Sequence, residues 1–240
     1  LATINNNDVT LSGGNGIELT NSELVDISGN NVNLSGDNGI FVDPSIGINI
    51  TGNTVAGSLN DGIHALDVIG LNISGNTVIG SGDDGIDVNN VIGANISNND
   101  VSLSLDNGIE LENGALVNIS DNTVVASGNN GIDLNNAALV NVDSNTVLFS
   151  LNDGIHATNV AGASFANNTV GFSGGDGIDV DNAIAVGITD NTVFLSGNNG
   201  IELSDALLAN VDGNEVYGAL NDGINVNNVV GLSVDNNTVG

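Results

Sequence analysis

The 240-residue chain has no lysine and no arginine, and its two histidines are the only side chains able to carry a positive charge. Against them stand 29 acidic residues, a formal net charge of −29 at pH 7. Nucleic acid and anionic membrane surfaces are held by clustered Lys and Arg, so neither is a partner here. The same lack excludes P-loop and kinase-type phosphoryl transfer, which needs a basic side chain on the phosphates. There is no cysteine, which removes disulfides, thiolate zinc sites and thiol nucleophiles. Tryptophan and methionine are absent too, and there is one proline. No apolar run approaches the roughly 18 residues a membrane span requires. No leader of basic then apolar residues opens the chain, which starts with Leu rather than Met. It reads as a mature or excised piece of something longer.

What the chain has in quantity is asparagine, 45 residues, and glycine, 34. With 40% of its residues hydrophobic, it has enough apolar surface to fold despite its charge. These residues recur. Gly-Ile pairs begin at Gly16, Gly39, Gly62, Gly85, Gly108, Gly131, Gly154, Gly177, Gly200 and Gly223, each step being 23 residues. A second series is Asn7, Asn30, Asn53, Asn76, Asn99, Asn122, Asn145, Asn168, Asn191, Asn214 and Asn237, with a Val two residues after every member. Ser follows three residues after that Val from Ser12 to Ser196 and gives way to Ala219. A register held this long predicts one solenoid over 1–240 rather than several globular domains.

Residues 108–130 show how one coil is built. Ile109 with Leu111, Val117 with Ile119, and Val124 with Ala126 alternate in period two, the pattern of half-buried strands. Asn113-Gly114, Asp121-Asn122 and residues 127–130 supply turns between them. Three strands and three turns in 23 residues leave no room for a helix. Stacked coils then give three parallel sheets and a rod of about 50 Å for about ten coils, wound right-handed as parallel crossovers favour. The alternative is a leucine-rich-repeat-like solenoid, since Val117-x-Ile119-x-x-Asn122-x-Val124 fits the middle of that motif. The Gly-Ile-x-Val strand and the Ile/Val bias argue against it.

The pattern GIxVxN…IxxNTV, running through nearly the whole chain, resembles the right-handed parallel β-helix repeats of the pectate-lyase-like superfamily. That resemblance implies an asparagine ladder in a tight turn, and the Asn7–Asn237 series sits where it would stand. A longer period overlies the short one. LNDGIHA at 59–65 returns at 151–157, and NGIEL at 15–19 returns at 107–111 and 199–203, a spacing of 92 residues or four coils. The chain starts and stops within a coil, so the expectation is that flanking caps or further copies cover its ends.

Several columns could carry function. Asp and Asn precede each Gly-Ile, and an outward stripe of Glu18, Phe41, His64, Asp87, Glu110, Asp133, His156, Asp179, Glu202 and Asn225 follows it. Stacked carboxylates repel one another, and hard cations prefer such oxygen clusters. Calcium or another divalent cation is therefore expected at Asp84 with Asp87, at Asp176 with Asp179, or in the series Asp133, His156, Asp179, set against a merely solvated acidic face. The turn GDDGI at 82–86 resembles the paired aspartates of polygalacturonases, which implies acid–base work on a glycosidic bond. Equivalent turns occur in every coil, however, and the basic residues of that family are missing. The expectation is therefore no catalysis.

The outward position of the third strand is often apolar, at Ile79, Val125, Leu148, Phe194 and Tyr217, and a column of these suggests lateral self-association. Asn33, Asn49, Asn72, Asn95, Asn118, Asn167 and Asn236 begin glycosylation sequons. Constant coil length leaves no loops for a cleft, and a chain without Lys or Arg offers nothing to trypsin-like proteases. The sequence thus points to an extracellular or cell-surface structural rod, part of a filament, adhesin stalk or sheath, associating laterally or end to end, with calcium and glycans as possible ligands. The alternative is a carbohydrate-binding or carbohydrate-active β-helix related to polygalacturonases.

Overall fold

A computed structural model describes residues 2–240. Every element in it is a β-strand, and every pairing is parallel between residues 23 apart, as in Ile86 with Ile109 or Val101 with Val124. The coil spanning 108–130 has strands at Ile109–Glu112, Ala115–Ser120 and Thr123–Val125. Three strands per coil and no helical segment among the described residues exclude the leucine-rich-repeat arrangement. The three strand columns stack as the three expected parallel sheets, the first two of which are continuous with each other. Near the start of the rod the first and second strands run on unbroken as Ile17–Ser28 and Ile40–Thr51. Those two long strands join the first two columns into one bent sheet, while the third column stands apart.

Inside, each coil contributes the same apolar layer. Ile109, Leu111, Val117, Ile119 and Val124 are all buried, with their equivalents stacked above and below. Phe165 is the one aromatic ring buried in the core, where it sits beside the small Ala163. The glycine of each Gly-Ile pair is forced by packing. A methyl on Gly108 would lie 2.1 Å from Val124 Cγ1 and 2.6 Å from the Gly131 carbonyl oxygen, so neighbouring coils close up only over a bare Cα.

The asparagine series forms a complete ladder. The backbone N–H and the Nδ2 of Asn99 both donate to Oδ1 of Asn122, at 3.0 and 2.9 Å, and Asn99 Nδ2 donates again to the Ile73 carbonyl at 3.0 Å. The same three bonds recur at the neighbouring step, where Asn122 donates to Asn145 and to the Ile96 carbonyl. Each interior amide thus makes two donations and accepts two, its full capacity, at positions with almost no exposure. Aspartate has no Nδ2 to donate, which explains why this column is asparagine in every coil.

The coil above turns four corners in the left-handed region, at Asn113, Leu116, Asp121 and Ala126. The last of these corrects a sequence expectation. Ala126 was expected to point inward after Val124, but its φ of +62° breaks the alternation and leaves it half-buried at the surface. The equivalent residues Leu11, Leu34, Leu103, Phe149, Phe172 and Leu195 are exposed for the same reason.

The ladder gives a direct test. Asn122→Ala is expected to leave the Asn99 amide and the Ile96 carbonyl unpaired in the core, lowering stability by about 3 kcal/mol. Nearly isosteric Asn122→Asp is expected to cost at least as much at pH 7, because its carboxylate faces a carbonyl and another amide oxygen. Urea unfolding followed by circular dichroism measures both.

Candidate functional site

The charged face is built from two adjacent columns, the residue just before each Gly-Ile and the residue just after. The first of these is itself a ladder, running in the opposite sense to the asparagine one. Asp61 Oδ1 accepts the Asp84 backbone N–H at 3.1 Å, Asp84 Oδ1 accepts that of Asn107 at 2.7 Å, and Asn107 Oδ1 accepts that of Asn130 at 3.1 Å. The chain of bonds continues through Asp153 and Asp176 to Asn199, with Oδ1 of each aspartate accepting at 2.6 Å. Here the backbone needs only an acceptor oxygen, which Asn and Asp supply equally. Asn15, Asn38, Asn107, Asn130 and Asn199 alternate irregularly with Asp61, Asp84, Asp153, Asp176 and Asp222. The expected cation ligands Asp84 and Asp176 therefore each have one oxygen already committed to the fold. Sequence reasoning missed this ladder because its Asp/Asn mixture reads as ordinary turn composition.

Two histidine-centred clusters stand on this face. His64 Nδ1 lies 3.0 Å from Asp61 Oδ2, and its Nε2 lies 3.3 Å from Asp87 Oδ2. The ring of Phe41 meets the imidazole edge-on at 5.3 Å. One repeat of four coils along, His156 Nδ1 lies 2.5 Å from Asp133 Oδ1 and its Nε2 lies 3.8 Å from Asp179 Oδ2. The series Asp133, His156, Asp179 is thus in contact as expected. Asp176 sits in the neighbouring ladder column and completes no three-ligand set with them among the described residues.

The protonation states follow from burial in a chain without cations. Burial, then the bond and charge of Glu110, push Asp84 up to about 10. Burial pushes Asp87 and Asp179 up to about 7, against the opposing pull of His64 and His156 respectively. Burial opposes charge on His64, but the bond to Asp61 and the Asp87 carboxylate outweigh it and hold the pKa above the ordinary value. For His156 the bond to Asp133 is the main cause of the same upward shift. The face therefore holds protons that exposed carboxylates would release.

Among the described residues three groupings have the spacing of metal ligands, with donor atoms within 4.8 Å of one another: Asp84, Asp87 and Glu110; Asp61, His64 and Asp87; and the more exposed Asp83, Asp84 and Asp106. The first offers oxygen alone and suits calcium. The second includes an imidazole and suits a transition metal. Glu110 and Asp61 were not among the residues singled out as ligands in the sequence, because only the fold shows that they flank the same two aspartates.

Of the expected interface, Ile79 and Tyr217 are exposed, while Val125, Leu148 and Phe194 are half-buried. The sequon residues on the second strand stack as well. Asn95 Nδ2 donates to Asn72 Oδ1 and Asn118 Nδ2 to Asn95 Oδ1, both at 2.9 Å. A glycan on either nitrogen would leave it one N–H for the two bonds it now donates, the second going to Ser97 or Ser120 Oγ.

The pH dependence has a definite sign. Asp84, Asp87, Asp179 and both histidines bind protons more tightly in the folded chain than in the unfolded one. The carboxyls' stabilising effect is complete below their ordinary value of 3.8 and is lost as pH rises through about 7 for Asp87 and Asp179. The histidines' effect is complete below 6.5 and is lost as pH rises through their folded values. The melting temperature is therefore expected to be higher at pH 5 than at pH 8. Asp84→Asn keeps the ladder acceptor and is neutral without having to take up a proton on folding. It is expected to raise stability at pH 8 by about 1 kcal/mol and to flatten the profile, as read by calorimetry across that range.

Comparison with known proteins places this geometry. The fold matches the Dettilon tailspike protein with a TM-score of 0.72 at 17% identity, covering 99% of this chain and 55% of that one. It matches the catalytic unit of a thermostable α-1,3-glucanase from Streptomyces thermodiastaticus with a TM-score of 0.83 at 14% identity, over 93% and 50% of the two chains. The mannuronan C-5 epimerase A-module of Azotobacter vinelandii gives 0.62 at 13% identity, over 100% and 88%. The chain thus spans about half the length of the tailspike and glucanase chains. No curated protein sequence matches it. The model of the right handed beta helix region matches residues 1–145 and again 130–240, and on that ground the chain belongs to the right-handed β-helix family.

Proposed function

We propose that this chain is a structural shaft, a rigid extracellular β-solenoid within a surface filament, adhesin stalk or sheath. One observation carries the reading: every strand pairs with its neighbour at a separation of 23 residues from one end to the other, as at Ile17 with Ile40, Ile109 with Ile132 and Ile201 with Ile224. No coil carries an insertion. Binding and catalytic residues concentrate on loops held by a scaffold, and this scaffold has been kept free of them. The acidic face makes the shaft a polyanion whose mutual repulsion salt and divalent cations reduce.

A second reading is favoured by the proton-holding cluster of Asp61, His64, Asp84, Asp87 and Glu110. Neighbouring carboxyls with raised pKa values are what acid–base chemistry on a sugar requires, and the similar structures include a glucanase and an epimerase. In this reading the flat acidic face binds a polysaccharide and the cluster acts on it.

One experiment separates the two. The purified chain is incubated with α-1,3-glucan and with polymannuronate, with and without calcium, and followed by NMR for new anomeric signals. The shaft reading expects no change in either polymer over days. Product that disappears in Asp87→Asn and His64→Ala would replace it with the second reading.

A further inference from the structure

The third strand ends in a strip that the charged face does not explain. In every coil the four residues after the conserved Val, such as 125–128, include no acid at all. The chain carries 29 acids elsewhere, so this is a continuous uncharged path along the rod. It is also apolar. Leu59, Leu105, Leu151 and Leu220 stand 69%, 74%, 75% and 78% exposed, and beside them Phe149 and Phe172 stack face to face at 4.6 Å.

Backbone geometry does not account for these side chains. Two of the four left-handed corner columns are taken largely by Asn, Asp and Gly, as at Asn113 and Asp121, the residues that adopt this conformation most readily. At the strip's own corner, Leu103, Phe149, Phe172 and Leu195 hold the same conformation while exposed to water, as Leu24, Leu116, Leu139 and Leu208 do at the remaining corner, where no regular alternation of knobs and notches accompanies them. A residue type unfavourable for both the backbone and the solvent calls for a partner surface.

The relief of the strip shows which partner. Leu59, Leu105 and Leu151 are two coils apart, about 9.6 Å, and Gly82, Gly128 and Gly174 occupy the same place in the coils that follow them. Those glycines cannot carry a side chain. A Cβ on Gly82 would lie 2.0 Å from the Leu59 carbonyl oxygen, and Gly128 and Gly174 are equally closed at 2.1 Å. Between the knobs lie notches, one of about 370 Å³ bounded by Leu151, Gly174 and Leu220 and one of about 270 Å³ bounded by Leu105, Gly128 and Leu151.

We propose that two copies of this chain pair side by side and antiparallel along this strip, about a two-fold axis between the coils of Leu105 and Gly128. That axis sets Leu105 over Gly128, Leu59 over Gly174 and Leu151 over Gly82. It also sets Leu220 over Gly13, so all four knobs meet glycine. The adjoining column largely obeys the same axis, with Phe149 over Gly80, Phe172 over Gly57, Leu103 over Ala126 and Leu11 over Gly218, the exception being Leu34 over Leu195. On the acidic rim Asp37, Asp83 and Asp106 each fall opposite an asparagine. Asp8 opposite Glu215, at the two ends, is a like-charge meeting on the other rim.

A parallel pairing in register would set knob on knob along the centre of the strip. A strip about 50 Å long and about 10 Å wide buries about 1,000 Å² in total, the lower bound of a specific interface. Such an isologous contact closes at two copies. It stands whether the acidic face binds a polysaccharide or nothing.

Sedimentation equilibrium of the whole chain in 0.3 M salt is expected to give twice the 23.9 kDa of one chain, with dissociation as salt is lowered and repulsion grows. The triple variant Leu59→Ser, Leu105→Ser and Leu151→Ser should give one chain's mass with an unchanged circular dichroism spectrum, since all three side chains lie outside the core. The native chain has no cysteine, so single cysteines report the direction cleanly. Val125→Cys, near the axis, should oxidise to a covalent dimer, and Thr10→Cys, at one end, should not. A monomer at 100 μM in 0.3 M salt, an unchanged mass in the triple variant, or a covalent dimer from Thr10→Cys would each overturn the proposal.

Discussion

The structure depends on one interaction, the amide-on-amide bond that passes from each ladder asparagine to the next. Because the Asn122 side chain must accept from Asn99, and donate to both Asn145 and the Ile96 carbonyl, consecutive coils have to be superposed at that corner. An inserted residue would shift the amide out of reach and leave buried donors unpaired, which costs more than most surface substitutions. Insertions are thereby excluded at that corner, and this chain has none at its other corners either. With length fixed, every other position falls into a column, and a column multiplies whatever its residue does.

The second ladder shows the multiplication at work on charge. It asks only for an oxygen that accepts a neighbouring N–H, so Asn107 and Asp84 serve it alike. The backbone thus leaves the charge of that column free to vary, and five aspartates have been placed where five asparagines would also fold. Two of them, Asp61 and Asp84, stand with His64, Asp87 and Glu110 on a partly buried, proton-retaining surface. That is a feature the fold permits without requiring, so it is where a polysaccharide or a cation would leave its mark on the sequence.

Most of the architecture was legible in the residues. The Gly-Ile and Asn-x-Val registers fixed the coil, and period-two alternation located all three strands. The asparagine ladder could be placed from its spacing and its likeness to β-helix repeats. What escaped was governed by backbone sign rather than by polarity. Ala126 continued the alternation of Val124 on paper, but a left-handed φ turned it and its equivalents outward, so the exposed apolar column lies beside the one expected at Val125 and Leu148. The joining of the first two strand columns was also hidden, because it depends on Ile17–Ser28 and Ile40–Thr51 passing a corner without breaking. The metal-like groupings were half visible. Asp84 and Asp87 share a segment, whereas Glu110 and Asp61 reach them only through stacking.

Hydrogen exchange of the backbone amides at the ladder positions tests the account most directly. Turns ordinarily exchange through local opening, well before the core of a protein. If the two ladders fix the coils, the amides of Asn53 to Asn191, and of Asp84 to Asp176 in the second column, will exchange as slowly as those of core residues such as Ile96 and Ile119, even though every one of them lies at a corner of its coil. Rapid exchange of those amides beside protected strands would contradict it, because the coils would then be held by their apolar layers alone.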